Sequence, residues 1–354
     1  MKLSEIISGI EGADKDFIEQ ARMRTSELVM PQRALGELHG IGERLCGIQR
    51  TLTPSVDKKA FLIMAGDHGI AGSNVSAYPQ VVTGEMVKTF LRGGAGINVL
   101  SRQIGARVIV MDMGIIPDIP QQTSKGNRLI VSKIARGTKD FSKGPAMTRD
   151  QAESAILKGF EAAKALFEEG LELLGTGDMG IGNTTPSSAI GAVITKTPVE
   201  SMTGRGTGID DNGFQRKCEA IKIGIEINKP QPEDPVDVLA KVGGFEIGAI
   251  AGAILAAAFF KRPVVIDGFI SGAGALIAYG LCPTVSDYMF AGHQSEEQGH
   301  KIMLNYLGLS PILNLGMRLG EGTGAALAMH IIEAGARIIN EVLTFEEAEV
   351  SKEE

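Results

Sequence analysis

One carboxylate stands out for chemistry. Glu321 sits in the run Leu319-Gly320-Glu321-Gly322-Thr323-Gly324, just ahead of a helix-patterned segment. Glycines on both sides let a ligand approach the backbone and leave the acid little shielded, as a general base requires, although a carboxylate near a helix start also serves as plain capping. Two glycine loops read as anion cradles. Residues 177–185, Gly-Asp-Met-Gly-Ile-Gly-Asn-Thr-Thr, precede an alanine-rich helix from Pro186, so exposed N–H groups, hydroxyls and a helix N-terminus converge as a small phosphate needs. A tight turn explains those glycines equally well. Residues 204–208, Gly-Arg-Gly-Thr-Gly, precede the basic pair Arg216-Lys217, which sets cations near a second nest.

Other motifs narrow the chemistry. Neither loop carries the Lys and Ser/Thr of a Walker A, and no GxGxxG follows the first strand, so ATP-driven and NAD-dependent readings lose their support. Asp210-Asp211 follows Gly-Thr-Gly-Ile rather than an apolar strand, so neither a diphosphate substrate nor an essential metal is expected, and no cofactor. His68 and His293 fall at strand ends without a partner nucleophile or a ligand cluster, and are read as loop-orienting. Ser76-Ala77-Tyr78-Pro79, with Met86 beyond, offers flat, soft surface for an aromatic ring; a Tyr and a Met are more often core.

These loops need strands to position them. Apolar runs at 60–65, 106–111, 171–174, 263–266, 288–291 and 312–315 each end in a polar, glycine-bearing turn, as buried parallel strands do. Helix-compatible segments such as 148–169 and 214–227 lie between them. The alternation predicts an α/β fold, a Rossmann-like parallel sheet of about six strands covered by helices, with ligands at the carboxyl ends of the strands. At the ends of the chain, residues 15–28, 33–50 and 323–342 are helical in pattern, and Thr344-Phe345-Glu346-Glu347 resembles a capping box opening a last short helix. The expected organisation is a helical segment over 1–50, a catalytic α/β domain over 51–325, and helices over 326–354 that complete a small domain with the first. The flanks also suit a simple extension of the large layer.

Whole-chain properties bound the partners. Of 354 residues, 35 are basic and 42 acidic, a net charge of −7 that repels nucleic acid and acidic membranes. Glycine numbers 46, nearly twice the usual share of about 7%, and falls in clusters rather than a repeat. Three well-separated cysteines, Cys46, Cys218 and Cys282, and an N-terminus without a basic and apolar leader point to a cytoplasmic protein with reduced thiols. The most apolar window, residues 247–260, is too short to cross a bilayer at about 20 residues and reads as a buried helix.

Taken together, the loops resemble one family, the nicotinate-nucleotide–dimethylbenzimidazole phosphoribosyltransferases. The resemblance is carried by AGDHGI at 65–70, VSAYPQVVT at 75–83, GDMGIGNTTPSSA at 177–189, KVGGFE at 241–246, DGFISGAGAL at 267–276 and RLGEGTGAALAM at 318–329, and spans nearly the whole chain. It implies transfer of 5-phosphoribose from nicotinate mononucleotide to a benzimidazole, with release of nicotinate, in assembly of the cobalamin nucleotide loop. It also implies Glu321 as general base; Gly180, Gly206, Lys217 and Ser295 on the 5′-phosphate; and Tyr78, Pro79, Met86 and Leu319 around the aromatic base. Asp178, where many relatives carry Glu, takes a secondary catalytic role. A homodimer, with the terminal helices closing over the partner's site, is implied as well. A non-catalytic nucleotide- or base-binding homologue is the alternative.

Overall fold

The computed structural model describes residues 1–120 and 127–352. Seven parallel strands form one sheet: β1 (Lys59–Gly66), β2 (Arg107–Gly114), β3 (Arg128–Val131), β4 (Leu173–Met179), β5 (Val264–Ile266), β6 (Met289–His293) and β7 (Pro311–Leu313), in the order β3-β2-β1-β4-β5-β6-β7. The parallel α/β sheet expected from the apolar runs is present, with one strand more. β3 escapes the sequence pattern because it is a short edge strand: its apolar run, Leu129-Ile130-Val131, is three residues with only Leu129 buried, and no glycine turn follows it directly. β1 is buried throughout and lies beside the central strand, β4; from β1 the chain steps outward through β2 and β3, then returns to pair β4 on the opposite side of β1. The loops leaving β1 and β4 therefore diverge, opening the crevice at which such sheets bind ligands.

β4 also moves the boundary of the first glycine loop. Gly175 and Gly177 are strand residues, not loop residues. A Cβ on Gly175 would stand 2.2 Å from the Phe61 ring, and one on Gly177 would stand 2.6 Å from the Glu321 carbonyl oxygen. These glycines let the sheet touch its neighbours, and the loop proper starts at Gly180.

The apolar window becomes the buried helix Phe245–Phe259, which crosses helix Arg149–Glu168 at glycines from both sides. Among the described residues no helix is long and apolar enough to cross a membrane. Helices Lys15–Ser26, Glu37–Gln49 and Thr323–Glu341 pack together, with Ala21, Cys46 and Ile339 in a small cluster and Gly42 against Gly335. Ile41, Leu45 and Ile48 of the second of these helices join the main core with the sheet. The capping box forms, with Thr344 N–H on Glu347 Oε2 and Glu347 N–H on Thr344 Oγ1, but opens turns rather than the expected helix. Leu28 and Thr344 form an antiparallel bridge and Phe345 N–H donates to Glu27 O, so this backbone staples the C-terminus to the N-terminal helices.

Close helix packing carries a test. Alanine is favoured over glycine in a helix by about 1 kcal/mol, yet a Cβ on Gly252 would lie 1.8 Å from Ile156 O. Overpacking of this kind costs about 1–3 kcal/mol, so Gly252→Ala is expected to lower the free energy of unfolding in urea titration; a stabilised variant would contradict this packing.

Candidate active site

The loops at the carboxyl ends of the strands enclose a cavity of about 490 Å³. Glu321 and Asp178 line it, as do Gly180, Gly206 and Ser295 on one side and Tyr78, Met86 and Leu319 on another. Of the ten residues that the family resemblance implied for the site, two stand outside this lining. Lys217 lies fully buried behind the wall, and Pro79 is exposed beside Tyr78.

Glu321 occupies a strained position. Its φ is +63°, between Gly320 at +82° and Gly322 at +91°, a left-handed run that only glycine adopts freely. Asp267, the residue after β5, holds this run in place. Its Oδ2 accepts from Gly322 N–H at 3.0 Å, and its Oδ1 accepts from Gly324 N–H at 2.8 Å and Ala325 N–H at 3.0 Å. The carboxylate thus satisfies the N-terminus of helix Thr323–Glu341, where both the free N–H groups and the dipole favour an anion. Burial pushes the Asp267 carboxyl up, opposed by nearby His293 and by these N–H groups. The next strand contributes as well: His293, the last residue of β6, puts Nε2 3.8 Å from Asp267 Oδ1 and packs against Gly324. Glu321 Oε2 accepts from Ile97 N–H at 3.2 Å, and burial raises its pKa above the usual carboxylate range despite that bond. A carboxylate so raised is a stronger proton acceptor than one in water.

Asp178 differs in charge. It is fully buried at the end of β4, and burial, together with Asp267, Glu246 and Glu321, pushes its pKa up to about 8 against the hydrogen bond from Asn183 Nδ2 to Oδ2 at 2.9 Å. At neutral pH it is a protonated acid, able to donate where Glu321 accepts. Beneath it, His68 Nε2 pairs with Glu246 Oε1 at 2.8 Å, both buried. Burial pulls the His68 imidazole down, but Glu246, Asp67 and Asp178 outweigh it and the net shift is upward. His68 also orders its surroundings: its carbonyl accepts from Gln80 Nε2 at 3.0 Å, and a Cβ on Gly180 would lie 3.2 Å from its Nε2.

The anion side combines backbone and lysine. Helix Thr184–Thr195 starts two residues before Pro186, directing its N-terminus at the cavity floor. Lys217 Nζ donates to Thr184 Oγ1 at 2.8 Å and to Gly204 O at 3.0 Å, and burial pulls its pKa down to about 8. Gly206, at φ +53°, donates its N–H to Glu297 Oε1 at 2.8 Å. Ser295 N–H donates to His300 Nδ1 at 2.9 Å; burial pushes His300 down to about 3, which keeps it a neutral acceptor. Arg216 points to solvent, while Asp210 caps helix Asp211–Asn228 through Gly213 N–H at 2.7 Å and Asp211 binds Arg205. Among the described residues, no group of three or more His, Cys, Asp or Glu is arranged to hold a metal ion.

Comparison with known proteins bears on this arrangement. A family model described as phosphoribosyltransferase, DBI_PRT, matches residues 10–350. A nicotinate-nucleotide–dimethylbenzimidazole phosphoribosyltransferase of Desulforudis audaxviator is 51% identical over 99% of this chain and 98% of its own length, and one of Geobacter sulfurreducens is 50% identical over the same shares. This chain belongs to that family. A crystal structure of a family member from Thermus thermophilus superposes with a TM-score of 0.90 at 42% identity, covering 96% of this chain and all of that one. The family's fold is thus present along the chain. Asp267, Asn183, Glu246 and Glu297 are site-shaping residues that the sequence pattern left unassigned, although Asp267-Gly268 ending an apolar run was the available signal for the first.

Asp178 supplies a pH test. Its folded pKa of about 8 lies above the unfolded value of 3.8, so its contribution to stability is complete below pH 3.8 and is lost as pH rises towards 8. Asp178→Asn removes that loss. The melting temperature of the variant relative to wild type is expected to rise between pH 5 and pH 8 and then level off; a difference independent of pH would contradict a protonated Asp178.

Proposed function

We propose that this chain transfers the 5-phosphoribosyl group of nicotinate mononucleotide to 5,6-dimethylbenzimidazole or a related base, giving α-ribazole 5′-phosphate and nicotinate. Family membership supports this reading, and the observation that carries it is Glu321: a buried carboxylate of raised pKa on the wall of a cavity whose other side is a backbone and lysine anion cradle. Glu321 removes the N–H proton of the incoming base, freeing electron density at the other ring nitrogen to attack the anomeric carbon. The bond from that carbon to the pyridine nitrogen breaks with its electron pair, which neutralises the cationic ring, so departure needs no acid. Attack opposite a β-bond gives the α-product.

In this scheme the 5′-phosphate takes the N–H groups around Gly180, displaces Glu297 Oε1 from Gly206 N–H and meets the edge at Ser295, with Lys217 acting from beneath through Thr184. The aromatic base lies between Tyr78, Met86 and Leu319, with Pro79 shaping the outer shoulder. Asp178, neutral at physiological pH, donates a hydrogen bond to a substrate oxygen and spares Glu321 a second adjacent negative charge. Tyr78 is 56% and Leu319 61% exposed, large apolar surfaces at the rim of the cavity. We propose that the terminal helices of a second copy cover them in a homodimer. Three free, buried cysteines suit the reducing cytoplasm as its location.

Glu321→Gln keeps the shape of the side chain and removes the base. Loss of a general base costs about 10²–10⁴-fold in rate, so kcat is expected to fall by that order while the affinity for nicotinate mononucleotide stays within about twofold of wild type. Turnover requires ionised Glu321, so kcat/KM of the wild type is expected to fall as pH drops through the raised pKa, and turnover in the variant to lose that limb. Nicotinate release at an undiminished rate by the variant would contradict the assignment.

A further inference from the structure

The loop 204–208 is tied to both walls of the base pocket. Thr207 Oγ1 accepts from Ala77 N–H at 3.0 Å and lies 3.1 Å from Ser76 Oγ, which itself accepts from Tyr78 N–H at 3.3 Å. On the other flank, Arg318 Nη1 donates to Gly206 O at 3.3 Å, one residue before Leu319. These bonds join segments more than 100 residues apart in sequence, and they run from the anion cradle to the two side chains that face a planar base. Core packing holds these walls only weakly, since Tyr78 and Leu319 are both more than half exposed. The cradle loop is packed at its start, where a Cβ on Gly204 would lie 2.0 Å from Glu297 and one on Gly206 2.9 Å from Thr184 Oγ1, and open at its end, where a Cβ on Gly208, at φ +103°, would meet nothing within 4 Å.

We propose that Thr207 is a positioning residue that makes the two substrates bind synergistically, its hydroxyl transmitting occupancy of the phosphate cradle to the Ser76–Tyr78 wall of the base pocket. This inference rests on the function proposed above. A phosphate that takes the Gly206 N–H from Glu297 Oε1 resets the loop and with it the Thr207 hydroxyl, and through Ala77 and Ser76 sets the backbone of Tyr78 before the base arrives. The base then meets a wall already ordered, and linkage requires it to tighten phosphate binding by the same factor.

Ribose 5-phosphate and 5,6-dimethylbenzimidazole are suitable probes, because a ribose without a pyridine leaving group does not react. The Kd of dimethylbenzimidazole is measured by calorimetry with and without saturating ribose 5-phosphate, in wild type, Thr207→Val and Thr207→Ser. In wild type the sugar phosphate is expected to tighten base binding about fivefold or more. Valine keeps the shape of threonine but cannot accept the Ala77 N–H, so the ratio is expected to fall to near one; serine, which keeps the hydroxyl, is expected to restore it. A purely structural role would shift the separate affinities and leave the ratio intact. Binding of both probes by wild type without coupling, or equal coupling in Thr207→Val, overturns this inference alone. Failure of wild type to bind either probe overturns the functional reading and this inference with it.

Discussion

The site depends on one carboxylate at a helix N-terminus. Asp267 accepts three backbone N–H groups from the turn that begins helix Thr323–Glu341, and the residue it thereby fixes between two glycines is Glu321. The magnitudes favour this arrangement. A non-glycine residue in the left-handed region costs of order 1–3 kcal/mol, whereas each buried hydrogen bond contributes about 0.5–1.5 kcal/mol net and leaving its N–H unpaired would cost about 1–3 kcal/mol. Three such bonds outweigh the strain at Glu321, so its conformation is imposed by β5 and the helix rather than by local preference. Gly177 completes the constraint, since its missing side chain lets β4 lie directly against the Glu321 backbone.

Several acids share this buried space, and their partners differ. Asp267 is compensated by N–H groups and by His293 nearby; Glu246 pairs with His68; Asp178 has neither kind of strong partner and keeps its proton. Two neighbouring carboxyls are thus differentiated by environment, one suited to accept a proton and the other to donate a hydrogen bond. The same separation matters for the substrate, because a net charge of −7 makes the protein as a whole a poor host for phosphate. Binding is left to local features: a helix N-terminus, glycine N–H groups and one buried lysine.

Much of this was legible in the sequence. Parallel strands announce themselves as unbroken apolar runs, and their carboxyl ends were marked by glycine and polar residues, so the cavity loops could be gathered on one edge before any geometry was known. What escaped has physical causes. An edge strand such as β3 buries one side chain, and its three-residue apolar run ends without the glycine turn that marked the others. Gly175 and Gly177 look like loop glycines because sequence does not distinguish a glycine needed for a turn from one needed for close packing. The capping box at Thr344 was visible, but its helix was overridden by backbone pairing to Leu28, a contact across the whole chain. Asp267 and Lys217 act on partners 55 and 33 residues away, and no local pattern reports which helix a carboxylate caps or which hydroxyl a lysine holds.

The central claim is that Glu321 is the base that meets the heterocycle while a separate cradle holds the sugar phosphate. The most direct measurement is a crystal structure of the protein with α-ribazole 5′-phosphate and nicotinate bound. The expected result is a Glu321 carboxylate oxygen within about 3 Å of the benzimidazole ring nitrogen remote from the ribose, with the phosphate on the Gly180 and Gly206 loops. A heterocycle seated away from Glu321, with Asp267 still holding its three N–H groups so that the loop has no freedom to close the gap, would contradict it.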